Sequence, residues 1–451
     1  MSEQPRQMHL GVLLLAAGNV VSGWRMPEAQ AGSQNFPLIQ QVANTAERGK
    51  LDFIFLADAV NTFAGMHPSM VLRLEPLTLL AALAMSTSRI GLAATASTTY
   101  TEPYNLARML ASIDHLSGGR VAWNVVTGAF AEAAANFGTA KHPPHEERYA
   151  IAEEFVKVAK GLWDSWEEDS FVMDKASGKY VDADKMHVLN HHGKFFQVKG
   201  PLNITRPPQG YPVILQAGAS DTGCNFAAAE ADVVFVVQQN KDAALAFANR
   251  LRGLAEQYGR NPAHLKIMPG ICPIVGSTEA EARAKLAELG ALVDPVYAMK
   301  VLSERTGHDM SVFPLDGPVP ELPPSTIMQG HAITLAKTAR ERNMTVRELR
   351  DFVGMSMGHK LICGSPEQIA DELEDWFRAG AGDGFNLLPP WFPGGMDDFV
   401  DHVVPVLQKR GLFRTEYTGH TLREHLGIPR PDHPAKQRAA SAAGVSEPVL
   451  T

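Results

Sequence analysis

Eight short apolar runs alternate with helical patterns along this chain, and that alternation constrains the fold more than any single motif does. The runs cover residues 9–15, 52–57, 90–96, 121–126, 212–217, 233–237, 267–275 and 385–388. Most are apolar along their whole length rather than at every second residue. Strands buried on both faces of a parallel sheet read this way. Helical patterns fill the gaps at residues 36–48, 77–87, 104–116, 148–163, 221–231, 242–258, 279–289 and 366–379, with one more at 396–409. Eight such units predict an α/β fold, a (β/α)8 TIM barrel, whose ligand contacts sit at the C-terminal ends of its strands. The rival is a doubly wound open sheet. For dinucleotide binding it would place G-x-G-x-x-G after the first strand; this chain has Ala16-Ala17-Gly18-Asn19 there.

The barrel is expected to occupy residues 1–430 as one domain. Two stretches exceed a minimal barrel, at about residues 164–211 and 291–363. The second is rich in Pro and Gly before it turns helical, and it is a candidate lid. Residues 431–451 are rich in Pro, Ala and Ser and are expected to form a loosely held tail.

Composition excludes several classes. At 45% hydrophobic and 20% charged, with a net charge of -8, the chain has core material in plenty and no basic stripe. Nucleic acid is therefore not an expected partner. The apolar run from Leu10 to Ala17 is too short to cross a bilayer, and the first eight residues are polar. A cytoplasmic protein without membrane contact is expected. The three cysteines lie far apart and point to neither a disulfide framework nor a zinc knuckle.

The segment Asp114-His115-Leu116-Ser117-Gly118-Gly119-Arg120 reads as a helix end and a tight turn. It runs into the fourth strand, which carries Asn124 and ends near Thr127. Asp58 ends the second strand, where a carboxylate faces the barrel mouth. Thr95 and Ser97 share one face of the third strand. His145 and Tyr149 are four apart at a helix start and share a face there. Gln216-Ala217-Gly218-Ala219-Ser220 opens the helix after the fifth strand, and such a helix start favours anions. No metal site is expected, because H-E-x-x-H is absent and His191-His192, being adjacent, project apart. No nucleophile elbow or Walker loop appears.

Taken together these residues resemble the bacterial luciferase-like flavin monooxygenases, in the branch of nitrilotriacetate monooxygenase component A and dibenzothiophene-sulfone monooxygenase. The resemblance is carried by Leu56-Ala57-Asp58, Leu74-Glu75-Pro76, Thr95-Ala96-Ser97-Thr98-Thr99-Tyr100 and Glu102-Pro103-Tyr104-Asn105-Leu106-Ala107-Arg108. Residues 114–127, Ala135-Asn136-Phe137-Gly138, residues 145–149 and residues 216–220 complete it. It implies reduced FMN (FMNH2) bound at the barrel mouth, with Asp58, Thr95, Asn124, His145, Tyr149, Gly218 and Ser220 as its contacts. Asn124 is placed near the isoalloxazine. Ala219 stands where many relatives have a second serine. The implied reaction uses O2 and a peroxyflavin to insert one oxygen atom into a small organic substrate, with C–S or C–N cleavage among the outcomes. A separate NAD(P)H:FMN reductase would supply FMNH2, and a homodimer or homotetramer is implied. The resemblance singles out no catalytic acid or base. The competing readings are a deazaflavin-dependent hydride-transfer enzyme of the same superfamily and a flavin-binding protein without turnover.

Overall fold

The apolar runs become strands because closing the sheet on itself buries both faces of each. In the computed structural model, which describes residues 6–438 except 31, 64–65, 129, 140, 323–328 and 437, nine parallel strands form one sheet. They are β1 (His9–Leu13), β2 (Phe53–Leu56), β3 (Gly91–Ser97), β4 (Val121–Val126), β5 (Val213–Ala217), β6 (Val233–Val236), β7 (Lys266–Val275), β8 (Lys360–Gly364) and β9 (Gly384–Leu387). Strands β1 to β7 pair in sequence, β9 pairs with β7, and β1 pairs with β9, closing an eight-stranded (β/α)8 barrel. Alternate side chains then divide. Phe53, Phe55, Ala93, Ala122, Leu215 and Met268 fill the bore. Ile54, Leu92, Trp123, Ile214 and Val234 pack outward under the helices.

Strand β8 corrects the sequence reading, which left residues 360–363 inside the second excursion and assigned no strand there. It pairs with Ile271–Val275, the second half of β7. The five-residue run opens on a half-buried Lys360 and closes on Gly364, so it lacks the continuous apolar signal of the barrel strands.

Helices α1 (Phe36–Arg48), α2 (Pro76–Ala84), α3 (Pro103–Ser117), α4 (His145–Trp163), α5 (Asp221–Glu230), α6 (Lys241–Gln257) and α7 (Glu279–Leu292) follow β1 to β7 in turn. The second excursion holds α8 (Pro295–Thr306), α9 (Gln329–Glu341) and α10 (Val346–Ser356); α11 (Pro366–Arg378) then leads from β8 to β9. Val301, Leu302, Leu335, Leu349 and Val353 give the excursion a small core of its own. Residues 164–211 form a coat of short antiparallel pairings, including a hairpin of His191–His192 with Gln197–Val198. Glu154 of α4 accepts hydrogen bonds from Phe196 N and Lys194 N, at 2.8 and 3.1 Å, and ties that coat to the barrel. Of the expected tail, residues 431–436 lie against this coat: His433 is buried, and Pro431 O accepts from Arg206 Nη2 at 3.1 Å. Residues 439–451 lie outside the described residues. No helix among the described residues is long and apolar enough to cross a membrane.

The turn before β4 has its own chemistry. Gly118 caps α3 in the left-handed region, at φ 70°. That reversal swings Arg120 inward, where it is 2% exposed. Its guanidinium donates to Ser117 O, Thr87 Oγ1, Ile90 O, Ala84 O and Thr87 O at 2.7–3.1 Å. Asp114, fully buried, accepts from Val121 N and from Gln209 N and Nε2. This network closes the N-terminal end of the barrel, opposite the mouth.

Candidate active site

Parallel strands all end on the same side, so residues far apart in sequence meet there. Asp58, Thr95, Asn124, His145, Tyr149, Gly218 and Ser220 line one cavity of about 350 Å³ at the C-terminal mouth. All seven residues singled out from the sequence are brought together.

Asn124 and Thr95 face each other across the β3–β4 register. Asn124 Nδ2 donates to Thr95 Oγ1 at 2.8 Å, while its Oδ1 is buried without a hydrogen-bond partner. Gln216, at the end of β5, likewise has a buried Oε1 with no partner. Unsatisfied buried acceptors are costly, and two of them in one cavity mark a place built for a polar ligand with hydrogen-bond donors.

Ser220 is the N-cap of α5, and its Oγ accepts from Gly223 N at 3.1 Å. That contact uses a lone pair and leaves the hydroxyl hydrogen for a ligand. The Tyr149 phenol reaches the same spot, facing Ser220 and Gln216, and burial pushes its pKa up, so it is a neutral donor. A Cβ on Gly218 would lie 2.8 Å from Gln216 Nε2, and one on Gly223 2.9 Å from the Tyr149 hydroxyl. A side chain at either position would have to push these polar groups aside. The His145 ring lies 4.9 Å from that of Tyr149, and burial, then the charge of Arg148, lowers its pKa.

Arg148 was not singled out from the sequence. It lies one residue before Tyr149 and is 5% exposed, yet it lines the cavity. Its Nε has no partner, and one long contact, 3.5 Å from Nη1 to Thr127 O, holds the guanidinium. A buried cation beside a helix N-terminus is the electrostatic arrangement that takes a phosphate. Inside His145-Glu146-Glu147-Arg148-Tyr149 it reads as one member of a charged helix face, and only the docking of α4 on the barrel shows that it points inward.

Asp58 is paired with Arg73. Arg73 Nε donates to its Oδ1 at 2.6 Å, and the same guanidinium donates to the carbonyls of Met70, Ala59 and Asn61. The pair ties Ala59 and Asn61 to Met70, and these three with Val60 and Met66 wall the cavity. Asp58→Asn is expected to lower stability by about 1–2 kcal/mol, since one charge-assisted bond is lost at a partly exposed site. Thermal unfolding with and without FMN checks this: the drop should be equal in both. A drop confined to the FMN-bound protein would make Asp58 a direct flavin contact instead.

The second excursion supplies Glu304, Arg305, Thr334, Met357 and His359 to the same cavity. The remaining wall is largely apolar, with Leu13, Phe55, Met66, Phe226 and Leu388 among its side chains. A second cluster, away from this cavity, brings ligand atoms of Glu167, His187 and His433 within 4.8 Å of one another. Both ring nitrogens of His433 are engaged, Nε2 with Asp164 O and Nδ1 with Ala435 N, so it offers no lone pair to a metal. His191 and His192 face Glu154 and Gln197 respectively, as their adjacency predicts.

The sequence profile of the luciferase-like monooxygenase family matches residues 11–383. The chain is 48% identical to N-acetyl-S-(2-succino)cysteine monooxygenase of Bacillus subtilis (strain 168), over 96% of this chain and 99% of that one. It is 46% identical to nitrilotriacetate monooxygenase component A of Aminobacter aminovorans, over 94% and 97%. Among solved structures, a riboflavin lyase (RcaE) described with modified FMN and riboflavin superposes with a TM-score of 0.85 at 32% identity, covering 96% of this chain and 99% of that one. With the barrel, the mouth residues and these likenesses in agreement, the chain belongs to the luciferase-like monooxygenase family.

Proposed function

We propose that this chain is the oxygenase component of a two-component monooxygenase. It binds reduced FMN at the barrel mouth and oxidises a small organic substrate with O2. The observation that carries the reading is the anion pocket of Arg148, Tyr149, Ser220 and the open Gly218 cradle, set beside the unsatisfied amides of Asn124 and Gln216. FMN has the two matching ends, a phosphate and a flat ring with hydrogen-bond donors and acceptors.

In this reading Arg148 and the Ser220 and Tyr149 hydroxyls hold the phosphate, together with the first amides of α5. Asn124 and Gln216 orient the ring, and Thr95 fixes the Asn124 amide. Bound reduced FMN supplies the electrons that activate O2. Met66, Phe55 and Leu388 keep water from the reacting atoms, and the helices of residues 291–363 cover them as a lid. Arg73 and Asp58 keep the opposite loop in place.

Two relatives act on compounds whose names denote polycarboxylates, and one of them is named as a component A. These names favour C–S or C–N cleavage and a separate flavin reductase for this chain too. Anaerobic titration with reduced FMN, followed by mixing with oxygenated buffer, tests the reading. Saturable binding and a flavin absorbance transient distinct from both reduced and oxidised FMN are expected. Binding of a deazaflavin in place of FMN, or no flavin binding at all, would overturn it.

A further inference from the structure

Among the described residues three methionines line the cavity, Met66, Met70 and Met357, and no cysteine or tryptophan does. The rest of the wall is aliphatic and aromatic carbon, amides, hydroxyls, imidazole and charged groups. Of these side chains a thioether gives an electron pair to an electrophilic oxygen most readily.

Met357 is the one whose place is fixed from several sides. It ends α10 in the left-handed region, at φ 55°, which side chains other than glycine's rarely adopt. Two strand-end loops hold that turn. Asn19, after β1, donates from Nδ2 to Ser356 O at 3.2 Å, and Gln239, after β6, donates from Nε2 to Gly358 O at 2.5 Å. Within the turn, Gly358 N donates to Ser356 Oγ at 3.2 Å. So held, Met357 is 4% exposed; it packs in the small core of the second excursion and also lines the cavity. Its Sδ lies 3.8 Å from Arg305 Nη2, a donor. A strained residue kept in place by its surroundings and set in the cavity wall points to a function there.

We propose that Met357 is a site of self-modification: when the cavity holds reduced FMN and O2 but no substrate, its thioether takes up one oxygen atom and becomes the sulfoxide. The proposal rests on the flavin reading above. Reduced FMN gives two electrons and two protons, the sulfur gives two electrons, and O2 takes all four. The O–O bond breaks and an S–O bond forms. The products are oxidised FMN, water and the sulfoxide. The largely apolar wall keeps bulk water out, so oxygen transfer to the wall competes with release of hydrogen peroxide. A bound substrate takes the oxygen first, because it fills the space between flavin and wall. The new oxygen is an acceptor beside Arg305 Nη2 and puts a polar atom at the edge of the core formed by Val301, Leu302, Leu349 and Val353. Turnover without substrate thereby loosens the packing of the second excursion, and reduction of the sulfoxide restores it.

The test uses the whole protein, titrated anaerobically with reduced FMN and then mixed with air-saturated buffer containing catalase, over several cycles. Mass spectrometry of its peptides reads the sulfoxide at each methionine. Free hydrogen peroxide attacks exposed thioethers first, so Met85 and Met173, at 74% and 54% exposed, report oxidant that has escaped. Met357 is expected to carry about fivefold or more sulfoxide than either of them. With hydrogen peroxide in place of reduced FMN, and no catalase, the order should reverse. Saturable binding of reduced FMN without an excess of sulfoxide at Met357 would overturn the proposal alone. So would oxidation confined to Met66 and Met70, or the same excess at Met357 with hydrogen peroxide. No binding of reduced FMN would overturn the flavin reading and the proposal with it.

Discussion

Replacing Arg148 with methionine is expected to weaken reduced-FMN binding roughly ten- to hundredfold. A hydrogen bond to a charged partner contributes about 1.5–3 kcal/mol, and each factor of ten is about 1.4 kcal/mol. The guanidinium is buried, with an unpartnered Nε and one long contact to Thr127 O. It therefore gives up little to meet a phosphate. Riboflavin, which lacks the phosphate, should bind Arg148→Met and wild type alike. The free protein should be no less stable, because an under-satisfied buried cation is replaced by a side chain of similar length. Fluorescence-quenching titrations with both flavins check the result. Equal losses for FMN and riboflavin would mean that Arg148 shapes the cavity rather than holding the phosphate.

Arg120→Met is expected to cost about 3 kcal/mol or more of folding stability while leaving the flavin site intact in the molecules that fold. Five acceptors lose their donor at once: Ser117 O, Thr87 Oγ1, Thr87 O, Ile90 O and Ala84 O. A buried acceptor left unsatisfied costs about 1–3 kcal/mol, and some of the five will relax toward other donors. Against a typical total of about 5–15 kcal/mol, the loss decides whether the barrel persists at physiological temperature. Urea unfolding followed by circular dichroism measures it. A midpoint within error of wild type would show that the network is dispensable. Arg120→Lys should recover part of the loss, since one ammonium has three donors where the guanidinium uses three nitrogens on five partners.

These two arginines differ in how far the sequence reveals them. Arg120 belongs to a segment that stands out by its Ser-Gly-Gly turn, and Arg148 to a helix start noticed for His145 and Tyr149. Neither role is written locally. The partners of Arg120 include Thr87 and Ala84, which come from the end of the α2 region, and Asp114 beside it is met by Gln209 across 95 residues. Asp58 shows the reverse. Its place at the end of β2 is legible from the apolar run before it, but its partner Arg73 lies beyond a loop that carries no periodic signal. Strand β8 escaped because five residues with a Lys and a Gly at the ends do not show burial on both faces.

The sequence by itself determined the barrel and the address of its site. Continuous apolar runs cannot be satisfied except by a sheet covered on both sides, and parallel strands must present all their C-terminal ends together. Hence Thr95, Asn124, Gly218 and Ser220 were bound to meet once the fold was right. Only the tertiary structure decided which charges enter the cavity. A polar side chain on a helix faces inward or outward according to how that helix docks, and the docking of α4 and α8 turned Arg148 and Arg305 into the mouth. Local pattern assigns such residues to solvent by default, because a buried charge is exceptional until the groups around it are known.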